Sequence, residues 1–331
     1  MCSLSAHRNI LVITVIALLL AGVAAGFTPA VRGEKDAVEF EDENLYRAIL
    51  NDLDREEGPI TREEAAELEK LEAIEEGIEN LSGIEQLSGL KELNLYNNEI
   101  ENIEPLAGLK NLEIIVFEHN YVSDIKPLSD LENLKVFNFR YNEIETLHPL
   151  KNLNNLEVIR LWGNEVREVD ALYDLKNLEI LTLADNEVEN ISGLAGTKAL
   201  RELHLDRNHI EDISPLSELN NLQIFSIPGN EVEDISPLKN MGELRELNFA
   251  DNNVSDISIV SNLQSLESIY FRDNYVEDIT PLVENKNITE VASFRLNYLD
   301  VDDAEVDEQI EILKDRVESL RYDPQSNTNE N

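Results

Sequence analysis

Positive charge is scarce in this chain. Only 27 Lys and Arg stand against 68 Asp and Glu, a formal net charge of −41 over 331 residues. A surface that holds phosphates needs clustered Lys and Arg, so nucleic acid is excluded as a partner, and an anionic membrane surface is excluded on the same ground. Cysteine is all but absent. The single one, Cys2, lies ahead of the apolar N-terminal run, so the chain beyond it has no disulfide, no thiolate nucleophile and no cysteine-bound metal. No phosphate-binding glycine loop and no zinc-ligand spacing occurs. What is plentiful is apolar: a fraction of 42% supplies enough Leu, Ile and Val for a large core and rules out a disordered acidic tail. The length suits one to three domains.

Only the N-terminus holds a long apolar run. Met1 to Asn9 carries His7 and Arg8 and no acid, Ile10 to Phe27 is apolar throughout, and small residues follow. Residues 1–30 therefore read as a signal peptide, with Val23-Ala24-Ala25 or Thr28-Pro29-Ala30 as the cleavage site, or as an uncleaved N-terminal anchor, the run being longer than usual for a signal. Contact with a membrane is expected only through that segment, if uncleaved. No cell-wall sorting signal or second anchor is evident.

From there the sequence repeats. Leucine stands at 90, 112, 134, 156, 178, 200, 222, 244 and 266, and asparagine at 98, 120, 142, 164, 186, 208, 230, 252 and 274, both at a spacing of 22. The consensus is LxxLxLxxNxIxxIxPLxxLxN. An atypical unit precedes the nine, with Glu76 at the asparagine position. A partial unit follows, with Asn297 one residue late, so the period is expected to break down there. Positions 4 and 6 are apolar between positions 3, 5 and 7, read as polar, which is strand periodicity. The asparagine can satisfy the backbone of a buried turn. Proline at position 16 (Pro105, Pro127, Pro149, Pro215, Pro237 and Pro281) blocks a long helix on the return path, so short 3-10 turns are expected. One such coil cannot bury its apolar side alone, but a stack shares one continuous core.

These units resemble the leucine-rich repeat family. The resemblance implies an α/β solenoid over residues 68–299, with a curved parallel β-sheet on the concave face, short 3-10 turns on the convex face and helical caps at both ends. Within residues 36–67, Phe40, Leu45, Ala48, Ile49 and Leu53 share a helical face, and Thr61 with Glu64 forms a capping box. The acids from Asp52 to Glu64 invite a calcium-loop reading, but with Gly58 at the sixth place the first ligand would be Leu53, so the register fails. Residues 40–61 look like the helical cap of bacterial internalin-type proteins. Residues 300–331 read as a C-terminal helical cap, one amphipathic helix from Asp302 to Tyr322, and a polar tail.

The binding face is marked by how the rings sort. All six Phe of the nine full repeats take positions 4 or 6, pointing inward. Tyr96, Tyr121, Tyr141, Tyr270, Tyr275 and the only Trp, Trp162, take positions 5, 7, 8 or 10 on the concave face and its rim. Rings with a polar handle, left facing water, are the usual anchors of interfaces. No Lys of the repeats falls at those positions, but Arg140, Arg160, Arg207 and Arg272 do. The expected partner-binding residues are therefore Tyr96, Glu118, His119, Tyr121, Arg140, Tyr141, Arg160 and Trp162 toward the N-terminus, with Arg140 and Trp162 side by side. Tyr270, Arg272 and Tyr275 form a smaller group near the C-terminus. The 36 face positions hold ten acids and four Arg, so the face is far less acidic than the whole.

Other clusters carry less. Asp212, Asp234, Asp256 and Asp278 stack at one position of consecutive coils. This reads as a hydrated acidic rim, with calcium bridging as the sharper alternative. His204 and His209 flank Asp206 without a nucleophile or an enclosing pocket. No catalytic residue, cofactor or metal is expected. The sequence predicts an exported, monomeric, non-enzymatic module that binds a protein or glycan ligand on its concave face. Two rivals are an intracellular-type scaffold, similar to the leucine-rich regulator of type 1 protein phosphatase, and a passive cell-surface structural protein. The apolar N-terminus and the internalin-like cap favour the first.

Overall fold

The computed structural model describes residues 36–323. The expected export segment and the final residues of the polar tail lie outside the described residues. Two helices, α1 (Glu43–Asp52) and α2 (Arg62–Glu67), lead into twelve strands of three residues each. These are β1 (Lys70–Glu72), β2 (Glu92–Asn94), β3 (Ile114–Val116), β4 (Val136–Asn138), β5 (Val158–Arg160), β6 (Ile180–Thr182), β7 (Glu202–His204), β8 (Ile224–Ser226), β9 (Glu246–Asn248), β10 (Ser268–Tyr270), β11 (Val291–Ser293) and β12 (Ser319–Arg321). They form one open parallel sheet in strict chain order. At ~4.8 Å per strand it is on the order of 50 Å long. The return path of each coil is a short 3-10 turn, except for helix α3 (Thr280–Glu284) near the end, before α4 (Ala304–Arg316).

The repeat dictates this geometry directly. Positions 4 and 6 are fully buried, and Phe117, Phe137, Phe139, Phe225, Phe249 and Phe271 all lie in the core as expected. Their rings stack from coil to coil, Phe117 on Phe139 at 5.2 Å and Phe249 on Phe271 at 5.5 Å between centroids. The ladder asparagines are buried too, and Asn164 shows why. Its Oδ1 accepts from Ile144 N–H at 3.0 Å in the preceding coil, while its Nδ2 donates to the carbonyls of Phe139 at 2.8 Å and Leu161 at 3.1 Å. One amide thus closes its own turn and ties it to the preceding coil.

The acid stack has a structural task. Asp212, Asp234, Asp256 and Asp278 each accept from the N–H two residues on, at 2.7–2.8 Å, opening the next turn of the return path. Asn102, Asp124 and Asn190 do the same at the same position. The stack is a column of Asx turns.

At the N-terminal end Asp42 caps α1 through Asn44 and Leu45 N–H, and its other oxygen takes Glu79 N–H at 2.9 Å and Asn80 N–H at 3.1 Å. One carboxylate thereby fastens the cap to the solenoid. The capping box of Thr61 and Glu64 forms on α2. Asp52, from the failed calcium register, accepts Glu72 N–H instead.

At the C-terminal end one expectation is sharpened and one is corrected. The 22-residue spacing does end at Asn297, as expected, but the coil itself continues. The β10–β11 register is Ser268↔Val291, one residue longer than those before it, and Asn297 still accepts Val276 N–H at 3.0 Å and donates to Phe271 O at 2.9 Å. The return path through α3 keeps the spacing, with Ile288 buried 22 residues after Leu266; the extra residue falls between Ile288 and β11, where Glu290 N–H takes the carbonyl of Glu267 at 3.1 Å. The closing helix is also shorter than Asp302 to Tyr322. It ends at Arg316, and Ser319–Arg321 pairs with β11. An unpaired β11 would leave a row of N–H and C=O groups at the sheet edge, and a twelfth strand satisfies them where another helical turn could not. Arg316 then donates to the carbonyls of Leu282 at 2.6 Å and Val283 at 3.1 Å at the end of α3.

Candidate recognition face

Each three-residue strand turns its middle residue inward and the two flanking it outward, so positions 3, 5 and 7 of successive coils form three columns on the open face. Position 8 follows at the turn, where the backbone is left-handed in every coil: φ is 58° at His119, 54° at Tyr141 and 51° at Arg207.

Rings in the N-terminal half form a continuous run. Tyr96 meets His119 edge-on at 5.7 Å; His119 stacks on Tyr141 at 4.4 Å with an interplanar angle of 9°. Tyr141 leans on Trp162 at 6.1 Å, and the Arg207 guanidinium lies 5.8 Å from the Trp162 ring centre. The Trp162 indole N–H donates to Asp185, which also receives the fork of Arg207. These contacts hold the Asp185 carboxyl below the usual carboxylate range: the Arg207 bonds most strongly, with the indole N–H in support, against a partial burial that opposes them. Asp185 and Arg207 were missed as members of the group. Their signal in the sequence was Arg207 at the same turn position as His119 and Tyr141.

Arg140 and Trp162 occupy adjacent coils as expected, but they turn away from each other. Arg140 donates to Glu118 at 2.5 Å and to Asn138 at 3.2 Å, toward the N-terminus, while Trp162 engages Asp185 on the other side. Tyr121 stands 51% exposed at the rim. Arg160 is half-buried and has no ion-pair partner among the described residues. The C-terminal group does not converge. Arg272 pairs with Asp251 at 2.6 Å, Tyr275 stacks on Tyr298 at 5.5 Å, and Tyr270 is half-buried on β10.

The leucine rich repeats (2 copies) family model matches residues 88–131, 198–240 and 243–284, and the leucine rich repeat model matches residues 154–210. Among solved structures, an internalin (inlF) of Listeria monocytogenes is similar at 26% identity and a TM-score of 0.78, over 88% of this chain and 92% of that one. The chain belongs to the leucine-rich repeat family. It is internalin-like. Internalin C2 of the same organism is similar at 25% identity and a TM-score of 0.57, over 73% of this chain and the whole of that one. A leucine-rich repeat protein of Leptospira interrogans shares the fold at 18% identity and a TM-score of 0.55, over 80% and 86%. No curated protein matches by sequence.

One feature of this leucine-rich repeat face corrects the sequence reading. Position 3 is not polar along its length. Ile114, Val136, Val158 and Ile180 are in register on β3 to β6, all half-buried, between Glu92 and Glu202. Strand alternation places apolar residues inward and polar ones outward, and that rule hides an apolar outward column.

His204 and His209 do not share Asp206. His204 bonds Glu202 at 2.9 Å, and His209 lies 3.4 Å from Glu187. No helix among the described residues is long and apolar enough to cross a membrane.

Proposed function

We propose that this chain is an exported, non-enzymatic recognition protein that, as a single copy, binds a protein ligand on the N-terminal half of its strand face. The observation that carries the reading is the ring run from Tyr96 through His119 and Tyr141 to Trp162, tied down by Asp185 and Arg207. Six Phe are buried while these polar-handled rings stay at the surface, pre-packed on one another, which is the composition and rigidity of an interface hot spot. Export is supported by the apolar run Ile10 to Phe27 and by the likeness to the Listeria internalins. The binding surface comprises Tyr96, His119, Tyr121, Tyr141, Arg160 and Trp162, with Glu118 and Arg140 as a self-paired border.

The test is a pull-down from candidate contact surfaces with the purified chain beside the Tyr141→Ala/Trp162→Ala double variant. Partners held by the first and lost by the second are expected, and their treatment with protease or glycosidase tells protein from glycan. Identical partner sets would place the site elsewhere. Finding the full-length chain in cytosol on cell fractionation would overturn export.

A further inference from the structure

Four Arg stand on the face of the nine full coils, and three are spent inside the molecule: Arg140 on Glu118, Arg207 on Asp185 and Arg272 on Asp251. Arg160 is the exception. It sits between Asn138 and Thr182 in register on the neighbouring strands. Along its own strand it lies between Val158 and Trp162, each about 7 Å away. The Thr182 hydroxyl is buried and has no hydrogen-bond partner. In a chain of net charge −41, this half-exposed guanidinium is left free to meet an outside carboxylate, and the covered hydroxyl beside it lacks a hydrogen bond in the isolated molecule.

We propose that Arg160, assisted by Thr182, anchors a carboxylate of the protein partner, with apolar partner side chains seated on the Ile114–Val136–Val158–Ile180 column beside it. The proposal rests on the reading of this face as a recognition surface. One guanidinium fork matches a single carboxylate, and the Thr182 hydroxyl joins it by turning out of the covered position in which it has no partner. The β-branched column has no hydrogen-bonding group to offer a sugar, whereas it fits aliphatic side chains of a peptide segment. The occupant is therefore an apolar segment interrupted by Asp or Glu. Elsewhere the acidity of the molecule repels such a segment, which makes Arg160 a specificity device as well as a contact.

The experiment uses an array of short synthetic peptides, each with Asp, Glu, Asn, Gln or Lys at the centre of an aliphatic sequence, probed with the full chain and with variants checked for folding by circular dichroism. The wild type retains Asp- and Glu-centred peptides about tenfold better than their amide counterparts. Arg160→Glu reverses the preference toward Lys, and Thr182→Val weakens retention of the acidic peptides without changing their rank. Equal retention of acid and amide by the wild type, no retention of any peptide, or an acidic preference that survives Arg160→Glu each overturns the anchor. The double variant Tyr141→Ala/Trp162→Ala separates the two readings. If it loses the pull-down partners while Arg160→Glu keeps them, the recognition face stands and the anchor falls; if it keeps them, the recognition face falls.

Discussion

Ten successive coils close on a buried asparagine, from Asn98 to Asn297, because only a side chain with both donor and acceptor can serve two coils at once. Asn186 accepts Val166 N–H at 2.9 Å and donates to the carbonyls of Leu161, Leu183 and Ala184 at 2.9–3.1 Å. Asn186→Ala strands these groups in the interior, and the unfolding free energy in urea is expected to fall by about 2–4 kcal/mol. The turn just before it follows a different logic. Its left-handed backbone suits Gly, Asn and Asp, as at Asn97, Gly163, Asp185, Gly229, Asp251 and Asp273, yet His119, Tyr141 and Arg207 also hold it. A bulky residue there carries a penalty of about 1 kcal/mol, so its presence points to use rather than to folding. Tyr141→Asn is accordingly expected to stay within about 1 kcal/mol of wild-type stability while partner binding drops, a separation that denaturant titration and binding assays together measure. Gly163 is empty for a related reason: a Cβ there would stand 2.7 Å from the Tyr141 ring. Gly163→Ala should move that ring off Trp162, the only tryptophan, and shift its fluorescence emission.

The elements that matter most for stability are the ends. A coil in mid-stack has two neighbours; the first and last have one, and the helices close them. At the front, Asp42 serves α1 and the loop at Glu79 and Asn80 together. Burial pushes its carboxyl upward, but four backbone N–H groups outweigh that and hold it below the ordinary value of 3.8. A depressed folded value means that the stabilisation is present above the unfolded value and is lost as pH falls through the folded one. Asp42→Ala is thus expected to destabilise by about 1–2 kcal/mol near neutral pH and much less in strong acid, once the pH has fallen through the depressed folded value and the wild type has lost the same contribution. Urea midpoints at the two pH values read this out, and an equal deficit at both pH values refutes the assignment. At the rear, α4 and β12 divide the work: Ile310 and Leu313 cover the core, while Ser319–Arg321 pairs with β11 and extends the sheet by one strand.

For the molecule as a whole, charge is the dominant long-range fact. The acids are spread over the solenoid, and those of the turn column are committed to backbone N–H groups, so the net repulsion is diffuse. The melting temperature is expected to rise with NaCl as that repulsion is screened. Calcium at matched ionic strength is expected to add nothing further, and an additional rise specific to calcium would revive cation bridging along the Asp212 to Asp278 column.

Much of this architecture was legible before any coordinates. A period of 22 with leucine and asparagine in fixed places fixes coil length, inward and outward sides and the parallel sheet, because every coil must repeat its neighbour's contacts to bury the same surface. The Phe and Tyr sorting was legible for the same reason. What the one-dimensional pattern could not state was which neighbour each outward side chain leans toward: Arg140 turns to Glu118 and Trp162 to Asp185, although one repeat position holds both. Nor could it show the end of α4 at Arg316, since Val317 and Leu320 fit a helical stripe until an open strand edge competes for them. Sequence alone determined the frame through local periodicity. The tertiary structure decided the pairing of long side chains across coils, and of the four Arg on the face of the nine full coils that left Arg160 without an ion-pair partner among the described residues.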